Sequence, residues 1–122
     1  MGKRIMIVED RESITSVVDE ILRSAGYDVV AKVSSAGEAV DMYESTCPDL
    51  VLMDLVLPDF SGLEASKRIL ALHPDARIIA ITALSREGIV DESLKIGCRR
   101  FLLKPFRMKD LIRAISEVLS ER

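Results

Sequence analysis

The sequence predicts an α/β fold, a doubly wound parallel sheet of five strands covered by five helices. Two observations carry that reading. Three short runs are continuously apolar, Ile5-Met6-Ile7-Val8, Leu50-Val51-Leu52-Met53 and Ile78-Ile79-Ala80-Ile81, as expected of strands buried on both faces of a sheet. Stretches of helical periodicity alternate with them, and strand–helix alternation implies parallel pairing through right-handed crossovers.

Each element has its own signal. The first strand, Ile5 to Val8, ends at Glu9-Asp10. Ile14, Val17, Val18, Ile21 and Leu22 then form one apolar helical stripe, which Gly26 stops as a C-terminal cap. Val29 to Val33 is a strand with Lys32 inside it, which suits a sheet edge. Ser35-Ala36-Gly37-Glu38 has capping-box spacing and opens a short helix that ends before Pro48. The third strand ends at Asp54, and Pro58 and Gly62 mark the loop after it. Ser61 and Glu64 repeat the capping-box spacing and open a helix running to about Leu72, with His73 as a loop residue before Pro74. The fourth strand, Arg77 to Ile81, ends at Thr82. A weaker helix runs from Ser85 to Ile96, with Gly88 in its first turn and Gly97 past its end. Phe101-Leu102-Leu103 is a short strand ending at Lys104-Pro105. Leu111, Ile112, Ile115, Val118 and Leu119 give the last helix its apolar face. The first, third and fourth strands are the most continuously apolar and belong in the centre. The order 2-1-3-4-5, flavodoxin-like, satisfies this.

Length and composition set bounds. At 122 residues, 48% hydrophobic and 30% charged, the chain reads as one globular domain, residues 1–122, able to bury roughly 65% of its unfolded surface. A net charge of −3 gives no basic face for direct nucleic-acid binding. No apolar run approaches the ~18 residues of a membrane span. Lys3-Arg4-Ile5 enters a strand at once, which leaves no room for a signal peptide, and Met6 breaks the myristoylation pattern. Cys47 and Cys98 have no metal-like spacing and read as free thiols of a reducing compartment. Together these point to the cytoplasm.

The chemistry is expected at the carboxyl ends of the strands, where such sheets bind ligands. Glu9, Asp10, Asp54, Thr82 and Lys104 all stand there. Taken singly, Asp10 reads equally as a helix cap, Thr82 as a capping hydroxyl and Lys104 as a solvated lysine. Their joint placement is the signal. Three close carboxylates repel one another, and oxygen donors in that number suit a hard divalent cation, Mg²⁺ before others. Lys104 adds a point charge for a phosphoryl oxygen and Thr82 a hydroxyl donor. An aspartate so surrounded is equipped to accept a phosphoryl group, with Asp54 as the nucleophile.

Glu9-Asp10 after the first strand, Asp54 with Pro58 and Gly62 downstream, Thr82-Ala83 after the fourth strand, and Lys104-Pro105-Phe106 resemble the receiver domain of two-component response regulators. The resemblance runs from about Lys3 to Leu119. It implies that Asp54 takes a phosphoryl group from a phosphohistidine on a sensor histidine kinase or phosphotransfer protein. It implies a Mg²⁺ site made of Asp10, Asp54 and the Val56 carbonyl, with Glu9 acting through water. Lys104 would pair with the phosphoryl group, and the Lys104-Pro105 bond would be cis. Thr82 would move to the phosphoryl oxygen while Phe101 swings inward. The output would be a shift of the surface around the fourth helix, fifth strand and fifth helix, read by an output partner. The chain would be a monomer without phosphate, with dimerisation on phosphorylation left open. It would not be an enzyme beyond its own phosphorylation and dephosphorylation.

Two positions depart from a fast chemotaxis-type regulator. Phe101 stands where such a regulator carries Tyr. Val56 and Leu84, two past Asp54 and two past Thr82, are apolar and cannot orient an attacking water, so a long-lived phosphorylated state is expected. Three alternatives fit the sequence less well. An aspartyl-phosphate phosphatase needs a second Asp two past its nucleophile, where Val56 stands. A flavin-binding module needs a Ser/Thr/Gly-rich phosphate loop, where the first strand here offers carboxylates. A degenerate docking receiver would have lost the acid set. The sequence leaves open the kinase, the output, and whether the domain stands alone or belongs to a larger regulator.

Overall fold

Period-two alternation in the central strands divides the core into two layers. In β1 (Arg4–Val8), Met6 and Val8 face one side of the sheet while Ile5 and Ile7 face the other. The computed structural model describes residues 2–83 and 88–121. Its remaining elements are α1 (Glu12–Ser24), β2 (Asp28–Val33), α2 (Ala36–Thr46), β3 (Leu50–Asp54), α3 (Gly62–Leu72), β4 (Ile78–Thr82), α4 (Ile89–Ile96), β5 (Arg100–Leu103) and α5 (Met108–Ser120). The strands form one parallel sheet in the order β2-β1-β3-β4-β5.

Burial follows strand position as the apolar runs predict. Every residue of β3 and β4 is buried, whereas β5 at the edge is half-buried or exposed throughout. Helices α1 and α5 pack on one face through Val18, Leu22, Leu111 and Ile115. Helices α2, α3 and α4 cover the other through Ala39, Tyr43, Leu63, Ile69 and Ile89.

Two helix starts follow the capping signals. The Ser35 and Ser61 hydroxyls accept the Glu38 and Glu64 amides at 3.2 and 3.1 Å, which satisfies donors that have no partner inside their helices. At the end of α1, Gly26 takes φ +93°, a left-handed stop that glycine adopts without steric penalty. His73 closes α3 as its C-cap, its ring tilted against Tyr43 with centroids 4.9 Å apart and its Nε2 2.7 Å from Glu44 Oε1. Cys47 is exposed and Cys98 buried, both free. Burial pushes the Cys98 thiol up to about 11, against a lowering contribution from Ser66.

Two expectations are corrected. Gly88 does not lie within the first turn of α4. It is the N-cap, with φ +83°, a left-handed conformation that cannot continue a right-handed helix, so α4 starts at Ile89. The expected start at Ser85 lies outside the described residues. Val17, assigned to the buried stripe of α1, is 50% exposed. The stripe narrows to Val18 and Leu22, with Ile14 and Ile21 at its half-buried margins.

Gly62 opens α3 at a crossing too close for a side chain. A Cβ there would collide with the backbone carbonyl of Asp54, and the Gly62 amide donates to the Leu55 carbonyl at 3.0 Å. Neither partner is a flexible side-chain end. Gly62→Ala should therefore lower stability by ~3 kcal/mol in urea unfolding. Gly26→Ala, with open space around the Cβ, should lose only about 1 kcal/mol from its left-handed backbone.

Candidate functional site

The sheet ladder delivers the site residues to one rim. Val8 pairs in register with Met53, so Glu9 and Asp54 emerge side by side. The Glu9 amide extends the ladder to the Val33 carbonyl at 3.0 Å, the Leu55 amide to Ile81 at 2.8 Å, and the Lys104 amide to Thr82 at 2.8 Å. Here the chain leaves β1 for β2 on one side, while β3 lies on the other. This topological switch point opens a crevice at the carboxyl edge.

Glu9, Asp10 and Asp54 converge in that crevice, each offering a carboxylate oxygen within 4.8 Å of the others'. Glu9 and Asp54 are each only 6% exposed, while Asp10 is open to solvent. The Asp54 carboxylate is held at both oxygens. The Val56 amide donates to Oδ1 at 2.9 Å, and Lys104 Nζ donates to Oδ2 at 2.9 Å. The same ammonium reaches Glu9 Oε1 at 2.7 Å. Glu9 Oε2 in turn accepts the Arg11 amide at 3.1 Å. The Lys104-Pro105 bond is cis.

The charges do not balance. Three carboxylates against one ammonium leave two formal negative charges in a partly buried crevice. Two like charges about 5 Å apart repel by on the order of 3 kcal/mol at a protein-like dielectric. The Lys104 ammonium responds to this field. Desolvation alone would pull its pKa down, but the hydrogen bonds and charges of Glu9 and Asp54 outweigh that and hold it above the ordinary lysine value. Lys104 therefore stays charged through the neutral range. Its contribution to stability is complete below the unfolded lysine pKa and is lost as pH rises through the higher folded value. An excess of two negative charges on hard oxygen donors matches a small divalent cation in both charge and donor type.

A cleft of about 260 Å³ opens onto this group, lined by Asp10, Arg11, Asp54, Val56, Ala83 and Lys104. Sequence reasoning gave Arg11 no part in it. An arginine after an acid pair carries no signal of its own, and only the turn into α1 brings it to the rim. Asp10 does not cap α1. The N-cap is Arg11, without a side-chain bond. Thr82 is completely buried at the end of β4, one residue past Ile81, the register partner of Asp54, and does not line the cleft. Phe101 is further away. On β5 it pairs with Ala80 of β4 and packs half-buried against the core beneath α3 and α4. Leu84 lies outside the described residues.

Comparison with known proteins fits this geometry. Residues 5–116 match the family model described as the response regulator receiver domain. The chain is 35% identical over 118 residues to the chemotaxis protein CheY of Thermotoga maritima, covering 97% of this chain and 98% of that one. A CheY-like response regulator receiver domain protein from Methanospirillum hungatei superposes with a TM-score of 0.91 at 32% identity, over 98% of this chain and 94% of that one. CheY in a CheX-CheY-BeF3-Mg²⁺ complex from Borrelia burgdorferi superposes with a TM-score of 0.93 at 25% identity, over 98% of this chain and 90% of that one.

The surplus charge makes a thermal measurement informative. Mg²⁺ at about ten times its dissociation constant should stabilise the protein by ~1.4 kcal/mol, which raises Tm by about 5 °C for a chain of this size. Asp54→Asn should blunt that rise. With one repelling carboxylate removed, its own Tm without metal should equal or exceed that of the wild type.

Proposed function

From a chain that belongs to the response regulator receiver domain family, we propose a phosphorylation-dependent signalling switch that accepts a phosphoryl group on Asp54. Receiver domains are switches of two-component signalling rather than conventional enzymes, and we read residues 1–122 as one such domain. The observation that carries the reading is the double clamp on Asp54. One carboxylate oxygen is held by the Val56 amide and the other by Lys104, so the side chain cannot rotate away from the cleft.

The phosphoryl donor is a phosphohistidine on a sensor histidine kinase or phosphotransfer protein. An Asp54 oxygen forms a bond to phosphorus as the P–N bond breaks, and the imidazole nitrogen keeps the electron pair. Lys104 follows the charge from the carboxylate to the phosphoryl oxygens. Asp10, Asp54 and the Val56 carbonyl are the groups to hold Mg²⁺, with Glu9 acting through water. When bound, the ion supplies positive charge against the equatorial phosphoryl oxygens. Thr82 and Phe101 form the switch. Thr82 stands at the tip of β4, next to the site, and Phe101 is only half-buried, with exposed ring surface still to be exchanged for core contact. The surface that changes is that of α4, β5 and α5. Val90 and Leu94 on α4 and Leu103 on β5 are exposed there, suited to an apolar output partner. We place the domain in the cytoplasm, monomeric without phosphate. No helix among the described residues is long and apolar enough to cross a membrane.

Intact-mass spectrometry after incubation with acetyl phosphate and Mg²⁺ tests the chemistry. Wild type should gain one phosphoryl group and Asp54→Asn none. Unmodified wild type would refute the reading. The lifetime of the phosphorylated state is a separate matter. Val56 is 50% exposed at the cleft wall and has no group to orient an attacking water. Phosphate release should therefore be slow, on the scale of minutes or longer, and Val56→Asn should accelerate it. A half-life of seconds, indifferent to that substitution, would contradict the assignment.

A further inference from the structure

The first turn of α2 is held from outside the helix. Its amides at Ala36, Gly37 and Glu38 have no carbonyl partner within the helix. The Ser35 hydroxyl takes Glu38. The other two go to a residue in another loop: Asp59 Oδ1 accepts the Ala36 amide and Oδ2 the Gly37 amide, each at 2.9 Å. A carboxylate astride a helix N-terminus meets both hydrogen-bond donors and the positive end of the helix dipole. The amides of Gly37 and Ala36 hold the Asp59 carboxyl below its usual range. Gly37 eases the approach, since a Cβ there would stand 3.3 Å from Asp59 Oδ2, a tight contact.

Asp59 belongs to the loop that leaves the phosphoacceptor. That loop is fixed at its start by the Leu55 amide on Ile81 and the Val56 amide on Asp54. Gly62 fixes its end against Leu55. Between these points, Asp59 docks the loop on α2. Phe60 follows it, 3.9 Å from where a Gly37 Cβ would be, and the Arg68 guanidinium of α3 covers its ring at 4.5 Å. The apex of the loop is thus closed between two helices.

We propose that Asp59 is a positioning residue for the cation site: by bridging the first two amides of α2 it fixes the loop that carries Val56 beside Glu9, Asp10 and Asp54. The inference rests on the reading above, in which the Val56 carbonyl is a ligand. With the clasp in place, the backbone at Val56 is ordered before a cation arrives. Without it, Val56 is held only by its own amide on Asp54 and its neighbour's on Ile81, binding must complete the ordering of the loop, and only the fraction of molecules with the loop in place binds well.

The test is a Mg²⁺ titration of the whole chain followed by amide NMR, with hydrogen exchange at Ala36 and Gly37 and urea unfolding in parallel. Asp59→Ala should lose protection at both amides and raise the Mg²⁺ dissociation constant by about tenfold, as loss of a supporting group around a metal site does. Ser35→Ala removes the other cap of α2 without touching the loop. It should lower stability and leave the dissociation constant unchanged. In ~0.5 M NaCl, where screening reaches within about 4 Å, the Asp59→Ala deficit should persist. A deficit that vanishes there would reflect long-range charge alone and overturn the proposal. So would an unchanged Mg²⁺ affinity in Asp59→Ala, or a loss equally large in Ser35→Ala. Wild type that shows no Mg²⁺-dependent shifts at Asp54 and Val56 would instead sink the cation reading itself, and this inference with it.

Discussion

Crowding of like charge at the rim of the sheet is the constraint around which this molecule is built. Glu9, Asp10 and Asp54 would separate if they could. The β1–β3 register denies it to Glu9 and Asp54, because both follow paired strand residues buried on each face. Lys104 answers part of the repulsion, reaching Asp54 from two strands away and Glu9 from three. The rest stays as unspent negative potential facing solvent through Asp10. A site relaxed to neutrality would have little affinity for a cation and little response to a phosphoryl group. Here the core holds a rim that its own electrostatics oppose, and that opposition is available to ligands.

The supports around the rim are backbone and loop contacts rather than further charges. Glu9, Lys104 and the residue after Asp54 continue strand ladders, so their Cα atoms are held by the sheet beneath them. The loop after Asp54 is pinned at Leu55, at Asp59 and at Gly62, where no side chain fits. On the far side, α4 and β5 are treated differently. The edge strand is incompletely buried and α4 is a short helix capped at each end by glycine in a left-handed conformation. The molecule is stiff where it must gather charge. It is more open on the face of α4 and β5.

Much of this was legible one residue at a time. Continuous apolar runs gave β1, β3 and β4 their central places, because a strand covered on both faces has no polar side to alternate with. Lys32 inside β2 suited an edge, and β5 fell to the other edge because its apolar run is less continuous than those of the central three. The Ser35 and Ser61 hydroxyls announced two helix starts, since capping is a contact over three residues and leaves a local pattern. Gly88 misled because glycine is ambiguous in sequence. It can be a weak helical residue or a left-handed cap, and the backbone around it decides. Val17 misled because helical periodicity fixes a direction on the helix but not how far the neighbouring element reaches. Asp59 carried no recognisable signal at all. Its partners are 22 and 23 residues earlier, and nothing local distinguishes it from any polar residue after a proline.

By itself, then, the chain of side chains determined the strand order and the ends at which acids and lysine would stand. Those depend on periodicity and residue type, which are local properties. The tertiary structure alone decided that one ammonium serves two carboxylates, that Arg11 rather than Asp10 begins α1, that Thr82 is sealed beneath the cleft it neighbours, and that a loop aspartate clasps α2. Each of these is a distance between groups far apart in sequence, and such distances exist only once the sheet has closed its register.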